Sequence, residues 1–179
     1  MELEEKQIAT KQVYNGKIIC VHEDTVELPN KKLAKREVVH HPGGVGILAF
    51  HENKIALVKQ YRYPYQKILY EIPAGKIEAN EPILETAKRE LKEEVGMAGA
   101  ELTYLGYFYP SPGYFNEIIH LYLAENGIVH ANQLDQDEFL ELIWIDFQDV
   151  KEKIRKGEIV DAKTIIAIYY YNQKVNCIL

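Results

Sequence analysis

The chain is poor in cysteine, in basic charge and in long apolar runs, and each shortage excludes a class of protein. Its two cysteines, Cys20 and Cys177, stand near opposite ends of 179 residues with no C-x-x-C spacing, so neither a disulfide framework nor a zinc knuckle is expected. A reducing, cytoplasmic setting fits that usage. Lys and Arg number 21 against 27 Asp and Glu, a formal charge of -6. Proteins that neutralise nucleic-acid phosphates carry a basic stripe instead, so no nucleic-acid partner is expected, and a polyanionic ligand would need positive charge from another source. No apolar run approaches the roughly 18 residues of a membrane span. Residues 1–10 are charged and lack the apolar core of an export signal, so neither a membrane nor an exported role is expected. Internal repeats and low-complexity tracts are missing as well.

What is present is ordinary for a folded domain: 47% apolar and 27% charged residues, near the averages. A domain of this length buries roughly 70% of the surface its unfolded chain exposes, enough to fold without a metal or disulfide staple. Residues 11–41 read as extended, with Ile18, Ile19, Val21, Thr25, Val26 and Leu28 in apolar and β-branched runs and a hairpin turn at Pro29, Asn30, Lys31 and Lys32. This predicts a small N-terminal antiparallel β appendage, residues 1–41, ahead of a main domain, residues 42–179. Pro42-Gly43-Gly44 breaks the chain, and strands are expected at 45–50 and 55–61 around a turn. Further strands are expected at 102–109, 118–123 and 139–145. Asp146 can cap a helix that turns Val150 and Ile154 inward and ends at Gly157; Asp161 can cap another with Ile165, Ile168 and Tyr169 inward. Strands and helices interleave without a regular βαβ repeat, so the expected class is α/β (α+β), a mixed sheet covered by helices. The 13 tyrosines read as core and interface residues.

The chemistry concentrates in residues 75–97, GKIEANEPILETAKRELKEEVGM. Asn80 or Glu81 can serve as N-cap, Pro82 falls in the first turn, and Gly96 lies where a terminal glycine ends a helix. Leu84, Ala87, Leu91 and Val95 recur at spacings of three and four and give one apolar stripe. Glu90, Glu93 and Glu94, at i, i+3 and i+4, bring their carboxylates to one side of the helix. Each like-charged pair at such spacing costs about 0.2–0.5 kcal/mol. Glu93 and Glu94 also occupy the last turn, where the helix dipole favours cations. One reading is a solvated acidic face relieved by Lys88, Arg89 and Lys92. The other is a hard divalent cation, magnesium or manganese, which takes oxygen ligands. Arg89 can reach Glu93 at i+4 or Glu85 at i-4.

The pattern G-x5-E-x7-R-E-U-x-E-E-x-G-U, with U aliphatic, is met at Gly75, Glu81, Arg89, Glu90, Leu91, Glu93, Glu94, Gly96 and Met97. Ordinary residue frequencies would produce it at on the order of one in a billion starting points. On these residues the sequence resembles the Nudix hydrolases, which cleave a nucleoside diphosphate linked to another moiety. The resemblance implies a Nudix-like α/β/α sandwich with a mixed sheet. It makes Glu90 and Glu94 the leading metal ligands, Glu93 a further ligand or water contact, the Ala74 carbonyl a completing ligand, and Arg89 the residue that orients the glutamates.

Pro112, inside Ser111-Pro112-Gly113, resembles the downstream proline of the ADP-ribose pyrophosphatase branch. Arg36-Glu37-Val38-Val39-His40-His41-Pro42-Gly43, and Gln60-Tyr61-Arg62-Tyr63-Pro64 leading into Glu71-Ile72-Pro73-Ala74-Gly75, look like the same branch. That likeness implies cleavage of ADP-ribose to AMP and ribose 5-phosphate with magnesium, or manganese, and substrate contacts at Arg36, Glu37, Arg62, Ser111, Pro112, Gly113 and Glu117. It also implies a homodimer whose appendages swap across a two-fold axis, so that both subunits share each site. Where relatives stack adenine on an aromatic in the appendage, the nearest residues here are Ile18 and Ile19. The run Asp135-Gln136-Asp137-Glu138-Phe139-Leu140-Glu141 resembles the mobile acidic loop that supplies the general base, with Glu138 the first choice as base or late metal ligand and Asp135, Asp137 and Glu141 the others. Another nucleoside diphosphate sugar or a dinucleotide is the alternative substrate; a non-catalytic nucleotide sensor is disfavoured by the intact pattern. His40 and His41, adjacent in a strand, point to opposite faces and cannot chelate one metal.

Charge sharpens the picture. Residues 75–97 hold six acids and four bases, and residues 135–141 hold four acids and no base, so these two segments account for the whole charge of -6. The rest of the chain is neutral.

Overall fold

The computed structural model describes residues 3–134 and 139–176, which fall into two compact units. The first comprises Met1–Gly43 with Tyr109–Ile118. Strands β1 (Lys6–Asn15), β2 (Cys20–Glu27) and β3 (Leu33–His40) form an antiparallel meander in that order. The first strand begins at Lys6, ahead of the start at residue 11 that apolar content predicts, because its residues are held by the ladder to β2 rather than by burial: all ten are exposed. Ile18 is correspondingly not in a strand, and lies 60% exposed in the β1–β2 turn. The second turn is where expected. Leu28 N–H donates to Lys32 O at 2.8 Å, Asn30 Oδ1 accepts from Lys32 N–H at 3.0 Å, and Lys31 takes a positive φ of 67°. Segment Tyr109–Ile118 joins this unit through Val39, whose N–H donates to Tyr114 O at 2.7 Å and whose carbonyl accepts from Asn116 N–H at 3.0 Å.

The second unit comprises Gly44–Phe108 and Ile119–Leu179. It begins with the hairpin β4 (Gly44–His51) and β5 (Lys54–Arg62), closed by Glu52 and Asn53, with Glu52 at a φ of 54°. Two short strands absent from the sequence reading follow, β6 (Lys67–Glu71) on β5 and β7 (Ala74–Lys76) on β4. Then come α1 (Ile83–Val95), β8 (Met97–Ala98), β9 (Glu101–Phe108), β10 (Ile119–Glu125), β11 (Ile128–Val129), β12 (Leu140–Asp146), α2 (Phe147–Arg155) and α3 (Ala162–Asn176). The main sheet runs β12-β5-β4-β10-β9; β4 and β10 are parallel and the other pairs antiparallel.

Alternation along β4 explains the layering. Val45, Ile47 and Ala49 pack with Ala87, Leu91 and Val95 of α1, whereas Leu48 packs with Val150 of α2 and Ala167 and Ile168 of α3. Successive side chains of a strand point to opposite faces, so one nearly continuous buried run serves two cores, as in a sheet covered on both sides. Fully burying each of the Val, Ile and Leu side chains contributes about 1.5–3 kcal/mol. The α/β/α arrangement and mixed sheet expected from the sequence are both present in this unit. Asp146 caps α2 by accepting from Gln148 N–H at 2.9 Å, and Asp161 Oδ2 accepts from Thr164 N–H at 3.0 Å at the start of α3.

Some inward assignments are corrected. Leu84 is 39% exposed, and Ile83 packs in its place. Tyr169 is 58% exposed because Thr164, Ala167 and Ile168 take the inner face of α3. Nine of the 13 tyrosines are exposed in the single chain, so the core half of their expected role holds for a minority of them; a phenol satisfies its hydroxyl most easily at the surface. Among the described residues no helix is long and apolar enough to cross a membrane.

Candidate active site

Helix α1 carries its acidic residues partly on its buried face. Glu90 and Glu94 are only 6% and 3% exposed and lie beside Ala87, Leu91 and Val95, whereas Glu93 remains half-buried. The helix ends at Gly96, which adopts a left-handed φ of 70° and donates its N–H to the carbonyls of Leu91 and Lys92. Its start differs from expectation. Pro82 is the N-cap residue with no side-chain cap, and Asn80 sits in a left-handed turn at a φ of 63°. Glu81 bends back instead, accepting from Glu78 N–H at 3.2 Å and from the Thr86 hydroxyl at 2.8 Å.

Strand β7 presses against this helix, pairing Gly75 with Val45 and Ala74 with Gly46 of β4. Ala74 N–H donates to Glu94 Oε2 at 2.9 Å. A Cβ on Gly75 would stand 1.8 Å from Glu90 Oε1, so any larger residue here would push that carboxylate out of its place. The glycine that opens the sequence pattern is thus required by the glutamate fifteen residues later, not by backbone dihedrals.

Arg89 organises the carboxylates, and all five of its N–H donors find acceptors. Nε donates to Glu81 Oε1 at 2.9 Å; Nη1 to Glu90 Oε1 at 2.7 Å and Glu93 Oε2 at 2.9 Å; Nη2 to Glu81 Oε2 at 3.1 Å and Lys76 O at 3.2 Å. The i+4 partner is therefore Glu93; Glu85 pairs with Lys88 at 2.8 Å. The Arg89 hydrogen bonds, with help from Thr86 and Glu78 N–H against a burial penalty, hold the Glu81 carboxyl down at about 2. The same contacts push the guanidinium further from ever losing its proton.

Arg89 cannot neutralise Glu81, Glu90 and Glu93 together, and Glu94 lies in the field of Arg62, which is already paired with Glu71. Glu90 and Glu94 are nearly buried, and burying carboxylates is costly unless positive charge is near. Carboxylate and carbonyl oxygens are the donors that a hard divalent cation takes, and magnesium is commonly held by one or two carboxylates, with waters and substrate phosphates completing its shell. The donor set of Glu90, Glu94 and the Ala74 carbonyl fits that pattern. Among the described residues no group of three or more His, Cys, Asp or Glu side chains is arranged around one point as a ready-made cage. Residues 130–133 border the site: Gln133 N–H donates to Glu93 O at 2.8 Å and Asn132 Nδ2 to Glu94 O at 3.3 Å. They cover carbonyls at the end of α1 and lead into the acidic run, of which Asp135, Asp137 and Glu138 lie outside the described residues. Glu141 lies in β12 and pairs with Lys59 at 3.0 Å. A cavity of about 580 Å³ opens beside that pair, lined also by Tyr61, Tyr70 and Phe139.

A second network was not anticipated. Arg62 forks onto the buried carboxylate of Glu71 through Nε at 2.6 Å and Nη2 at 2.7 Å. Lys163, only 8% exposed, donates to Glu71 as well, and to Asp161 Oδ1 at 3.0 Å. Burial raises the Glu71 carboxyl pKa, but the two cations outweigh it and leave the group below its usual range. Thr164 Oγ1 donates to Asp161 Oδ2 at 2.6 Å and accepts from Ile72 N–H at 2.8 Å, which pins the strand end just ahead of Ala74. One signal could have exposed this network: Lys163 stands in the first turn of α3, where the helix dipole disfavours a cation without a partner.

The remaining candidates belong to the first unit. Arg36 pairs with Glu5 at 2.5 Å, and Glu37 is exposed opposite Glu23. Ser111 O accepts from Phe115 N–H at 3.1 Å to close the turn that carries Pro112 and Gly113, and Glu117 meets His41 Nδ1 at 3.2 Å. The His40 ring packs on His22 and the His41 ring on Phe115, in keeping with opposite faces.

Comparison with known proteins adds two family matches that together span most of the chain: the NUDIX domain over residues 40–166 and the nucleoside diphosphate sugar hydrolase N-terminal domain over residues 5–39. An ADP-ribose pyrophosphatase of Bacillus subtilis (strain 168) is 46% identical over 96% of this chain and 95% of its own. A methanol dehydrogenase activator of Bacillus methanolicus is 45% identical over 93% and 92%. A crystal structure of an ADP compounds hydrolase superposes with a TM-score of 0.86 over 98% of this chain and 97% of the other, at 19% identity, a likeness of fold.

Proposed function

This chain belongs to the Nudix family, and we propose that the reaction it catalyses as a pyrophosphohydrolase is the cleavage of ADP-ribose to AMP and ribose 5-phosphate. The observation that carries the reading is the pair of nearly buried glutamates, Glu90 and Glu94, locked by Arg89 and by strand β7 at Ala74 and Gly75. Full-length likeness to an ADP-ribose pyrophosphatase supports the substrate.

Glu90, Glu94 and the Ala74 carbonyl would hold the divalent ion, with Glu93 beside them as a further ligand or water contact and Glu138 as a late one. Magnesium is the proposed ion, and manganese can take the same oxygens. When bound, such an ion supplies positive charge against the pyrophosphate oxygens and makes a coordinated water more acidic. The protein does the rest. Arg89 keeps the carboxylates aimed by spending every N–H on them and on Lys76 O. Glu138 accepts the proton of the attacking water. Arg62, anchored through Glu71, contacts the substrate with its outer edge, and Arg36, Glu37, Glu117 and the turn at residues 111–113 supply further contacts. We place the enzyme in the cytoplasm as a homodimer with residues 1–41 swapped, so that the two copies share each site.

Another nucleoside diphosphate sugar is the second reading, favoured by the family match over residues 5–39. A competition assay with ADP-ribose, other nucleoside diphosphate sugars and dinucleotides separates the two. ADP-ribose is expected to have the highest kcat/KM; a tenfold preference for another compound would overturn the substrate assignment.

A further inference from the structure

Asn116 ties one segment of the first unit to the end of β3 at three points. Its backbone N–H donates to Val39 O at 3.0 Å, its Oδ1 accepts from His41 N–H at 2.9 Å, and its Nδ2 faces His40 Nδ1 at 3.0 Å. On one side of Asn116 lies the turn of Ser111, Pro112 and Gly113, closed by Phe115 N–H on Ser111 O at 3.1 Å. On the other lies Glu117, held by its place next to Asn116 in the chain; its carboxylate is 3.2 Å from His41 Nδ1, which accepts from Gly43 N–H at 3.1 Å. Asn116, through its backbone and its side chain together, thus ties the segment carrying both groups of candidate substrate contacts to β3 and the two histidines at its end.

The chemistry of the clamp leaves no freedom in its hydrogens. The His41 amide can only donate, so the atom of Asn116 facing it is the oxygen. Its nitrogen then faces His40 and can only donate. His40 Nδ1 must therefore be the bare nitrogen, and the neutral ring carries its proton on Nε2. That Nε2 is buried and has no hydrogen-bond partner among the described residues. An unmet buried donor is costly, so the tautomer is set against the local interest of Nε2, by the contact with Asn116.

We propose that Asn116 is a positioning residue for substrate binding, acting through His40 and His41 to hold the turn at residues 111–113 and Glu117 in their binding geometry. This rests on the reading that those residues contact ADP-ribose. The clamp itself is tested without activity, by long-range 1H-15N NMR of the full-length protein labelled at histidine. The neutral His40 ring of the wild type is expected to show its proton on Nε2. Asn116→Asp keeps an acceptor for His41 N–H but offers His40 an oxygen, and moves the proton to Nδ1. In steady-state assays Asn116→Ala, which removes both side-chain hydrogen bonds, raises KM for ADP-ribose about fivefold, a change on the scale of one hydrogen bond's net contribution, with kcat within about twofold, and Asn116→Asp recovers part of that loss. A wild-type His40 protonated on Nδ1, or an Asn116→Ala enzyme with unchanged KM, overturns the proposal. A wild type that ignores ADP-ribose would instead overturn the functional reading, and the tautomer would still decide the clamp.

Discussion

Adding one methyl group at Gly75 should disable the site through a clash whose size can be worked out. A Cβ there would stand 1.8 Å from Glu90 Oε1, 1.9 Å from its Cδ and 2.5 Å from Oε2. To clear even 3.0 Å, the nearest approach that real Cβ atoms tolerate, the carboxylate must withdraw by at least ~1.2 Å. That movement breaks the 2.7 Å bond from Arg89 Nη1, a charge-assisted hydrogen bond contributing about 1.5–3 kcal/mol. A stability loss of about 2 kcal/mol corresponds to a Tm lower by about 4–8 °C at this chain length. A shift of about 1 Å in a catalytic group costs about a hundredfold in rate. Gly75 has no positive φ that would add backbone strain, so the clash alone is tested. Melting in buffer with chelator reads the stability term, and ADP-ribose turnover with magnesium reads the catalytic one. Glu90→Asp in the same chain shortens the side chain by one methylene and should return part of the lost Tm, a coupling expected only between neighbours. Wild-type turnover and a Tm within about 1 °C in Gly75→Ala would refute the reasoning.

Three further outcomes are expected. Because the Glu81 carboxyl is held at about 2 instead of its ordinary 4.5, its contribution to stability is complete above about pH 4.5 and lost as pH falls through about 2. The urea midpoint of Glu81→Gln should therefore lie below that of the wild type at about pH 6, and the gap should close towards about pH 2; a gap of constant size would contradict the pairing with Arg89. Lys163→Met removes one of two cations from the fully buried Glu71 and should cost about 3 kcal/mol, the low end for breaking a buried ion pair, read as a smaller urea midpoint with unchanged m. Glu138→Gln should lower kcat at least about tenfold, a floor set below the roughly 10²–10⁴-fold that a general base contributes, with KM nearly unchanged; wild-type rates would pass the role to Asp135, Asp137 or Glu141.

The parts of this site that were legible in the sequence depend on spacing along one helix. Glu90 and Glu94 fall one turn apart whatever the rest of the chain does, and Arg89 reaches its i+4 partner by helical geometry alone. Gly75 was legible as a position but not as a cause, because the atom it makes room for belongs to a residue on another element. Glu81 was misread as a cap for a related reason: cap preferences are local, whereas its carboxylate is taken by Arg89, eight residues on. The Glu71 and Lys163 contact spans 92 residues, a separation at which periodicity carries no information. β6 and β7 are short strands held by pairing with β5 and β4, so their local sequence did not need to look like strand. The mixed sheet was readable because strands and helices interleave without a regular βαβ repeat, while the burial of nearly every residue in the central stretches of β4, β5 and β10 accounts for the helices on both faces.

The central claim is that Glu90 and Glu94 hold a divalent ion against a nucleoside diphosphate, and the most direct measurement is AMP release from ADP-ribose, followed by chromatography, for the wild type and Glu94→Gln with magnesium and then with EDTA. The wild type should release AMP with magnesium and stop on chelation, while Glu94→Gln, which keeps an acceptor for Ala74 N–H but loses the charge, should fall by at least about a hundredfold, the scale of removing a principal electrostatic contact. AMP release that persists in EDTA, or that survives Glu94→Gln at the wild-type rate, would contradict the account.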